Sequence, residues 1–345
     1  MRIAINAQLL NFRDFGIKTY LQCLTDQLIK YDKNNEYALI LDRTQSKLWE
    51  HLKLPFIVNK GKFDLFFSPD HILPAQPLYC KKVLTVHDLS FVKFPELFTF
   101  AKRLYKRLMT PLSLKRADRI IAVSQNTKND IVAIYGVAPE KITVVHNGVG
   151  NNFVPVKDEA SLKCAKNKYG LPDRYVLCVG TIEPRKNIIR LIKAYEKIMA
   201  RQPLVIVGKP GWLSEPIIKG IRSSDRVIWL DNVETHDLPA IYSLASLFVY
   251  PSLYEGFGLP VLEAMACGTP VITSDLSSLP EVAGDAALLV DPNSVDEIAL
   301  AIKRLLEDQG LRKDLISKGC LQAKKYSWEK CARETTKVYE SCFNT

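Results

Sequence analysis

Short apolar runs alternate with amphipathic stretches along the whole chain, and no other feature limits the fold as tightly. A strand covered by helices on both faces is apolar at every position, so it reads as an unbroken run of about four to eight residues. Such runs occur at Arg2–Ala7, Tyr37–Leu41, Leu65–Ser68, Val83–Val86, Arg119–Val123 and Ile142–His146, enclosing helices such as Lys18–Tyr31, Leu97–Lys115 and Gln125–Tyr135. A second series follows at Tyr175–Val179, Leu204–Val207, Val227–Leu230, Leu247–Tyr250, Pro270–Thr273 and Ala287–Val290, with helices beginning near Asn187, Ser214, Thr235, Pro260 and Ser294. Alternation of this kind predicts α/β architecture: two doubly wound halves with parallel sheets. Facing each other, they would bring the carboxyl ends of their strands, and so their ligand loops, to a shared cleft.

A length of 345 residues, 47% hydrophobic and 24% charged, suits two domains with ordinary cores. The turn-rich run Asn147-Gly148-Val149-Gly150-Asn151-Asn152 and the polar stretch to Pro172 read as turn and linker. The expected domains are 1–160 and 161–327, with a helix over 328–345 that crosses back to the first. The eight cysteines form no C-x-x-C pair and none has metal-ligand spacing to a histidine, which argues against structural zinc. Met1 to Asn6 reads as a strand rather than a secretory signal, and the most apolar region, Leu238 to Ile272, is interrupted by acids and prolines. A cytoplasmic protein with no spanning helix is expected. Residues 1–160 hold 23 Lys+Arg against 15 Asp+Glu, so 8 of the 10 net positive charges lie in the first half. That basic half suits an anionic substrate, a membrane surface or solvent; nucleic acid fits poorly, because no recognition motif or aromatic platform accompanies the charge.

The most informative run is Pro251-Ser252-Leu253-Tyr254-Glu255-Gly256-Phe257-Gly258-Leu259-Pro260-Val261-Leu262-Glu263-Ala264-Met265-Ala266-Cys267-Gly268-Thr269-Pro270, between a strand and a helix. Gly256 and Gly258 allow close backbone approach, and Pro260 suits the start of a helix. The amides of Phe257, Gly258 and Leu259 would face an anion at the positive end of that helix. Glu263, expected in the first turn, can accept hydrogen bonds from a vicinal diol such as ribose. Two carboxylates in one cleft also suit a glycosidase pair, but a phosphate-ready helix terminus between them favours a nucleotide sugar. Structural alternatives are open for both: Glu255 as a loop acid capping amides, and Glu263 as an acid favoured by the helix dipole.

This run resembles the E-x7-E motif of retaining glycosyltransferase family 4, of GT-B fold, and the likeness extends from Tyr175 through Leu279-Pro280-Glu281-Val282-Ala283-Gly284-Asp285. The resemblance implies that Glu255 and the amides after it contact the donor sugar and that Glu263 holds the ribose. Gly180-Thr181-Ile182-Glu183-Pro184-Arg185-Lys186-Asn187 stands where the family commonly has G-R-x-x-x-x-K. Lys186 keeps the lysine, Thr181 replaces the arginine, and the adjacent Arg185 is expected to supply the second cation to a diphosphate. Thr85-Val86-His87-Asp88 is similar to the family's H-D segment beside the reaction centre, the alternative being a hydrogen-bonded wall histidine. Gly16-Ile17-Lys18-Thr19-Tyr20 resembles its G-I-G-R-Y loop, where Gly16 approaches the donor phosphate or the acceptor, or simply begins a helix. Ser124-Gln125-Asn126-Thr127 lines the acceptor side or is a plain N-cap.

Phe91–Arg116 mixes aromatic and aliphatic residues with seven cations, the pattern of a segment resting on anionic lipid or of a core helix with a solvated basic back. The resemblance implies Rossmann-like domains, with acceptor on the first and nucleotide-sugar donor on the second. It implies retained stereochemistry and no metal, cations and helix amides standing in for one, with the departing phosphate accepting the acceptor's proton. No resident cofactor is expected. Leu276-Ser277-Ser278-Leu279-Pro280-Glu281 and the Gly180–Asn187 run look like the mannosyltransferase branch, which makes GDP-mannose the expected donor and UDP-sugars the alternative. Backbone groups of Asn232 and Val233 would read the base, the alternative being an ordinary strand-to-helix loop. A non-catalytic nucleotide-sugar-binding subunit is the competing class. No G-x-G-x-x-G follows either first strand and no P-loop occurs, which disfavours a dehydrogenase and a P-loop kinase.

Overall fold

Parallel strands buried on both faces are what the apolar runs build. The computed structural model describes residues 1–11, 15–42, 46, 48–198 and 200–344. Contacts divide the chain into two units: Met1–Gly148 with the segment from Tyr326 onward, and Val149–Lys325.

In the first unit the strands are β1 (Arg2–Asn6), β2 (Glu36–Ile40), β3 (Leu65–Ser68), β4 (Lys81–Val86), β5 (Arg119–Ala122) and β6 (Ile142–Val144). They form one parallel sheet in the order β2-β1-β3-β4-β5-β6. All four residues of β3 are buried, as an inner strand between helical layers requires. The Trp328–Glu340 helix completes this unit. Its buried face, Trp328, Cys331, Ala332, Thr335, Val338 and Tyr339, repeats at helical spacing, and Trp328 lies edge-on to Tyr20 with centroids 6.0 Å apart. Gly148 is fixed by the same approach: a Cβ there would stand 2.1 Å from the Trp328 backbone nitrogen.

The second unit repeats the plan with β7 (Val176–Val179), β8 (Leu204–Val207), β9 (Val227–Leu230), β10 (Leu247–Tyr250), β11 (Val271–Ser274) and β12 (Ala287–Val290). Their order is β12-β11-β10-β7-β8-β9, again parallel, so the loops after β7 and β10 are neighbours. This unit begins at Val149, earlier than residue 161, and Val156 N–H is already bound to Ser243 Oγ at 3.0 Å. The stretch expected to be linker contains the Glu159–Tyr169 helix, capped by Asp158, whose carboxylate accepts from Ser161 N–H at 2.9 Å, and stopped by left-handed Gly170. Only Ala165 of that helix is buried, so it left no apolar period to read. A π-helical turn at Trp49–Lys53 running into the Leu54–Lys60 helix was likewise not anticipated.

Candidate active site

Residues from the neighbouring loops after β7 and β10 meet in one buried charge cluster. Pro184–Lys186 is a single 3-10 turn, and Asn187 after it takes a left-handed φ of 60°, a conformation asparagine tolerates better than most residues. The Asn187 amide donates to Pro251 O at 3.0 Å and Pro292 O at 2.6 Å, stitching the two loops together. Glu255 Oε1 then accepts from Lys186 Nζ at 2.6 Å, Ser252 Oγ at 2.6 Å and Tyr250 OH at 2.9 Å. Its other oxygen accepts from Arg185 Nη1 at 2.6 Å. Arg185 also donates through Nε and Nη2 to Glu183 Oε1, at 3.0 and 2.6 Å. Two cations and two carboxylates thus balance.

Burial works to raise the Glu255 pKa, but the charges of Arg185 and Lys186 overcome it and hold the carboxyl at about 2. Burial and the neighbouring Arg185 charge both lower the Lys186 pKa, against the pull of Glu255. Arg185 is the more accessible cation, its side chain 17% exposed against 9% for Lys186. The basic pair is therefore neutralised within the protein. Glu255 is a structural counter-ion as well as a candidate sugar contact, so truncating it removes more than a substrate interaction.

Beyond Glu255 the backbone climbs through Gly256 and Phe257 to Gly258, whose φ of 115° only glycine adopts freely, and enters the Leu259–Ala266 helix. Ser278 Oγ lies 2.9 Å from Glu255 O and 2.8 Å from Phe257 O, and Ser277 Oγ accepts from Glu255 N–H at 3.0 Å. Glu263 is the fifth residue of this helix, one past the first turn where it was expected. Its Oε2 accepts from Tyr242 OH at 2.9 Å, and among the described residues no Lys or Arg forms an ion pair with it. Burial raises its pKa to about 7, against the lowering effect of Tyr242. The two acids thus differ: Glu255 is paired with two cations, while the hydrogen bond described for the Glu263 carboxylate comes from the neutral Tyr242 hydroxyl. Tyr242, Phe248 and Tyr250 form an aromatic row between them, with centroids 5.5 and 5.7 Å apart.

Gly180 follows β7 beside this cluster, and Gly208 packs so tightly that a Cβ there would lie 1.9 Å from Gly180 O. Asn232, exposed, and Val233, half-buried, follow the edge strand β9, two strand spacings or about 10 Å from β7. Nearby, Glu234, His236 and Asp237 bring ligand atoms within 4.8 Å of one another, but Lys168 Nζ already binds both carboxylates, at 3.0 and 2.8 Å.

His87 and Gly16 belong to the first unit. His87 follows β4; its Nε2–H donates to Pro69 O at 2.8 Å, its ring meets Tyr20 edge-on at 4.6 Å, and burial lowers its pKa. Gly16 is exposed near the start of the Phe15–Tyr31 helix, and nothing lies within 4 Å of where a Cβ would stand. Ser124 caps the Gln125–Tyr135 helix, accepting from Thr127 N–H at 3.1 Å.

In the basic segment the Phe100–Arg116 helix turns an apolar stripe outward: Phe100 is 69% exposed, Leu104 45%, Leu108 58% and Leu112 54%. The core-facing alternative covers only its other side, where Thr110, Ser113 and Leu114 are buried. Leu48, Leu52 and Phe56 form a second exposed row at the same four-residue spacing, and His51 Nε2 joins Tyr105 OH at 2.8 Å between the two helices. Among the described residues no helix is long and apolar enough to cross a membrane.

The sequence matches the family Glycosyl transferases group 1 over residues 163–321 and Glycosyltransferase Family 4 over residues 32–151. It is 36% identical over 284 residues to the O-antigen chain mannosyltransferase B of Escherichia coli, covering 80% of this chain and 74% of that one. It is 34% identical over 272 residues to the serotype-specific mannosyltransferase WbdA of Escherichia coli, covering 75% of this chain but 33% of that longer protein. Among solved structures, Alr3699/HepE of Anabaena in complex with UDP-glucose superposes with a TM-score of 0.78 at 18% identity, over 99% of this chain and 100% of that one.

Proposed function

Because this chain belongs to glycosyltransferase family 4, we propose that it transfers mannose from GDP-mannose to a glycan or lipid-linked glycan of a bacterial surface polysaccharide, with retention and without a metal ion. The observation that supports this best is the cation pair Arg185 and Lys186, locked to Glu255 at the entry of the Gly258-capped helix. Arg185, the more exposed of the two, meets the diphosphate, and Lys186 holds Glu255 against the sugar. Glu263 accepts the ribose hydroxyls, and the base lies by Asn232 and Val233. As the bond from the anomeric carbon to phosphate breaks, the acceptor oxygen attacks from the same face. Its proton passes to the departing phosphate, so no protein nucleophile is needed, and fixed cations and helix amides stabilise the charge that develops there.

The shared fold does not choose the base, since a UDP-glucose complex has it too. The mannosyltransferase relative at 36% identity favours GDP-mannose. Acceptors on a lipid carrier would be met at an anionic bilayer by the exposed apolar rows and the cations beside them, among them Lys102, Arg103 and Arg107. Isothermal titration tests the donor: GDP should bind at least tenfold more tightly than UDP, about 1.4 kcal/mol, and Glu263→Gln should weaken GDP. A tenfold preference for UDP would replace GDP-mannose with a UDP-sugar.

A further inference from the structure

Three residues that no motif marked, Pro69, Asp70 and His71, turn across the carboxyl edge of the first sheet after β3, closed by Ser68 Oγ donating to Ile72 O at 2.8 Å. This edge is where open α/β sheets bind ligands. His71 Nδ1 lies 2.6 Å from Asp70 Oδ1, and the same oxygen accepts the His71 backbone N–H at 2.7 Å. Nδ1–H therefore donates to the carboxylate, and in the neutral ring Nε2 holds the lone pair. Pro69 fixes the opposite tautomer in His87: its carbonyl can only accept, so His87 Nε2 bears the proton and Nδ1 the lone pair. One turn thus sets two imidazoles beyond the ends of neighbouring strands, each with an accepting nitrogen in its neutral form.

His71 lies nearly flat on Phe91, centroids 5.4 Å apart with 12° between planes, and is 4% exposed. Its Nε2 is buried without a hydrogen-bond partner, a condition native proteins seldom leave unanswered. Gln8 Nε2 is in the same condition. Because Ile5 pairs with Phe67, Gln8 and Asp70 both fall three residues beyond one rung of β1 and β3. An amide donor and an imidazole acceptor at one edge complement a hydroxyl, which both donates and accepts.

We propose that His71, with His87 and Gln8, forms a hydroxyl-reading subsite for the acceptor glycan, His71 being a specificity-determining residue. The acceptor's identity as a glycan rests on the transferase reading above; the demand for a hydroxyl donor rests on the two fixed tautomers. An enclosed nitrogen makes that demand selective, because an analogue lacking the hydroxyl leaves it unpaired.

The test is saturation-transfer NMR on the full chain with methyl α-mannoside and its monodeoxy analogues, with and without GDP. Wild-type protein should bind the mannoside, and at least one deoxy analogue should bind tenfold more weakly. His71→Phe, which keeps the stack on Phe91, should lose at least tenfold in mannoside affinity and no longer distinguish that analogue, with GDP affinity within twofold of wild type. Gln8→Leu should weaken the mannoside in the same sense and serves if His71→Phe does not fold. Equal mannoside binding by wild type and both variants would overturn the subsite, and a fall in Tm alone would mark an internal water as the occupant. Failure of wild type to bind the mannoside, with or without GDP, would also overturn it. Failure to bind GDP while mannoside binding persists would instead contradict the donor reading.

Discussion

Burial alone would push the Glu255 carboxyl up, yet two cations within 2.6 Å hold it at about 2. Deleting it therefore strands Lys186 without a counter-charge and leaves Arg185 only Glu183. Glu255→Ala should destabilise the second unit by about 3 to 5 kcal/mol, lowering Tm by roughly 10 °C, whereas Glu255→Gln retains hydrogen bonds and should cost less; calorimetry separates them. Equal Tm values for Glu255→Ala and wild type would refute the counter-ion role. Because the folded pKa lies below the ordinary 4.5, the stabilisation is present above pH 4.5 and fades as pH falls toward 2. Glu255, Glu263, Arg185 and Lys186 were legible because contiguous runs announce them. Tyr250, Ser252 and Tyr242 were not, since each matters only through a neighbour in space, and a lone Asp-His pair at positions 70 and 71 has no sequence signature.

The Phe100–Arg116 helix shows what a periodic pattern leaves open. Its composition fitted either a lipid-facing or a core-facing segment, and the structure leaves Leu104 and Leu108 on the exposed side. Replacing both by glutamate should leave Tm and GDP affinity near wild type, because neither supports the core. Sedimentation with anionic vesicles should fall at least tenfold, as each leucine that enters the bilayer contributes about 1.5 to 3 kcal/mol. Undiminished sedimentation would leave a soluble acceptor as the better reading. Elsewhere the strands were read to within a residue or two, because each inner strand carries a short apolar run. The Glu159–Tyr169 helix escaped because it buries only Ala165; Asp158 and Gly170 were its sole punctuation.

At the scale of the molecule, strand–helix alternation, broken only between β3 and β4 among the described residues, made the two parallel sheets legible in the sequence. The division at Val149 follows early contacts such as Val156 to Ser243 and Phe153 to Tyr242, and the last helix returns to the first unit where Gly148 admits the Trp328 backbone. Neither leaves a pattern in composition. The transfer with retention proposed for the charge-balanced cluster of the second unit can be followed without knowing the acceptor, since water can replace it slowly. The most direct measurement is proton NMR of GDP-mannose incubated with the enzyme, reading the first anomer released. The account predicts GDP and α-mannose appearing together before mutarotation, with Arg185→Ala slower by roughly 100-fold. First release of β-mannose, or an unchanged rate in Arg185→Ala, would contradict it.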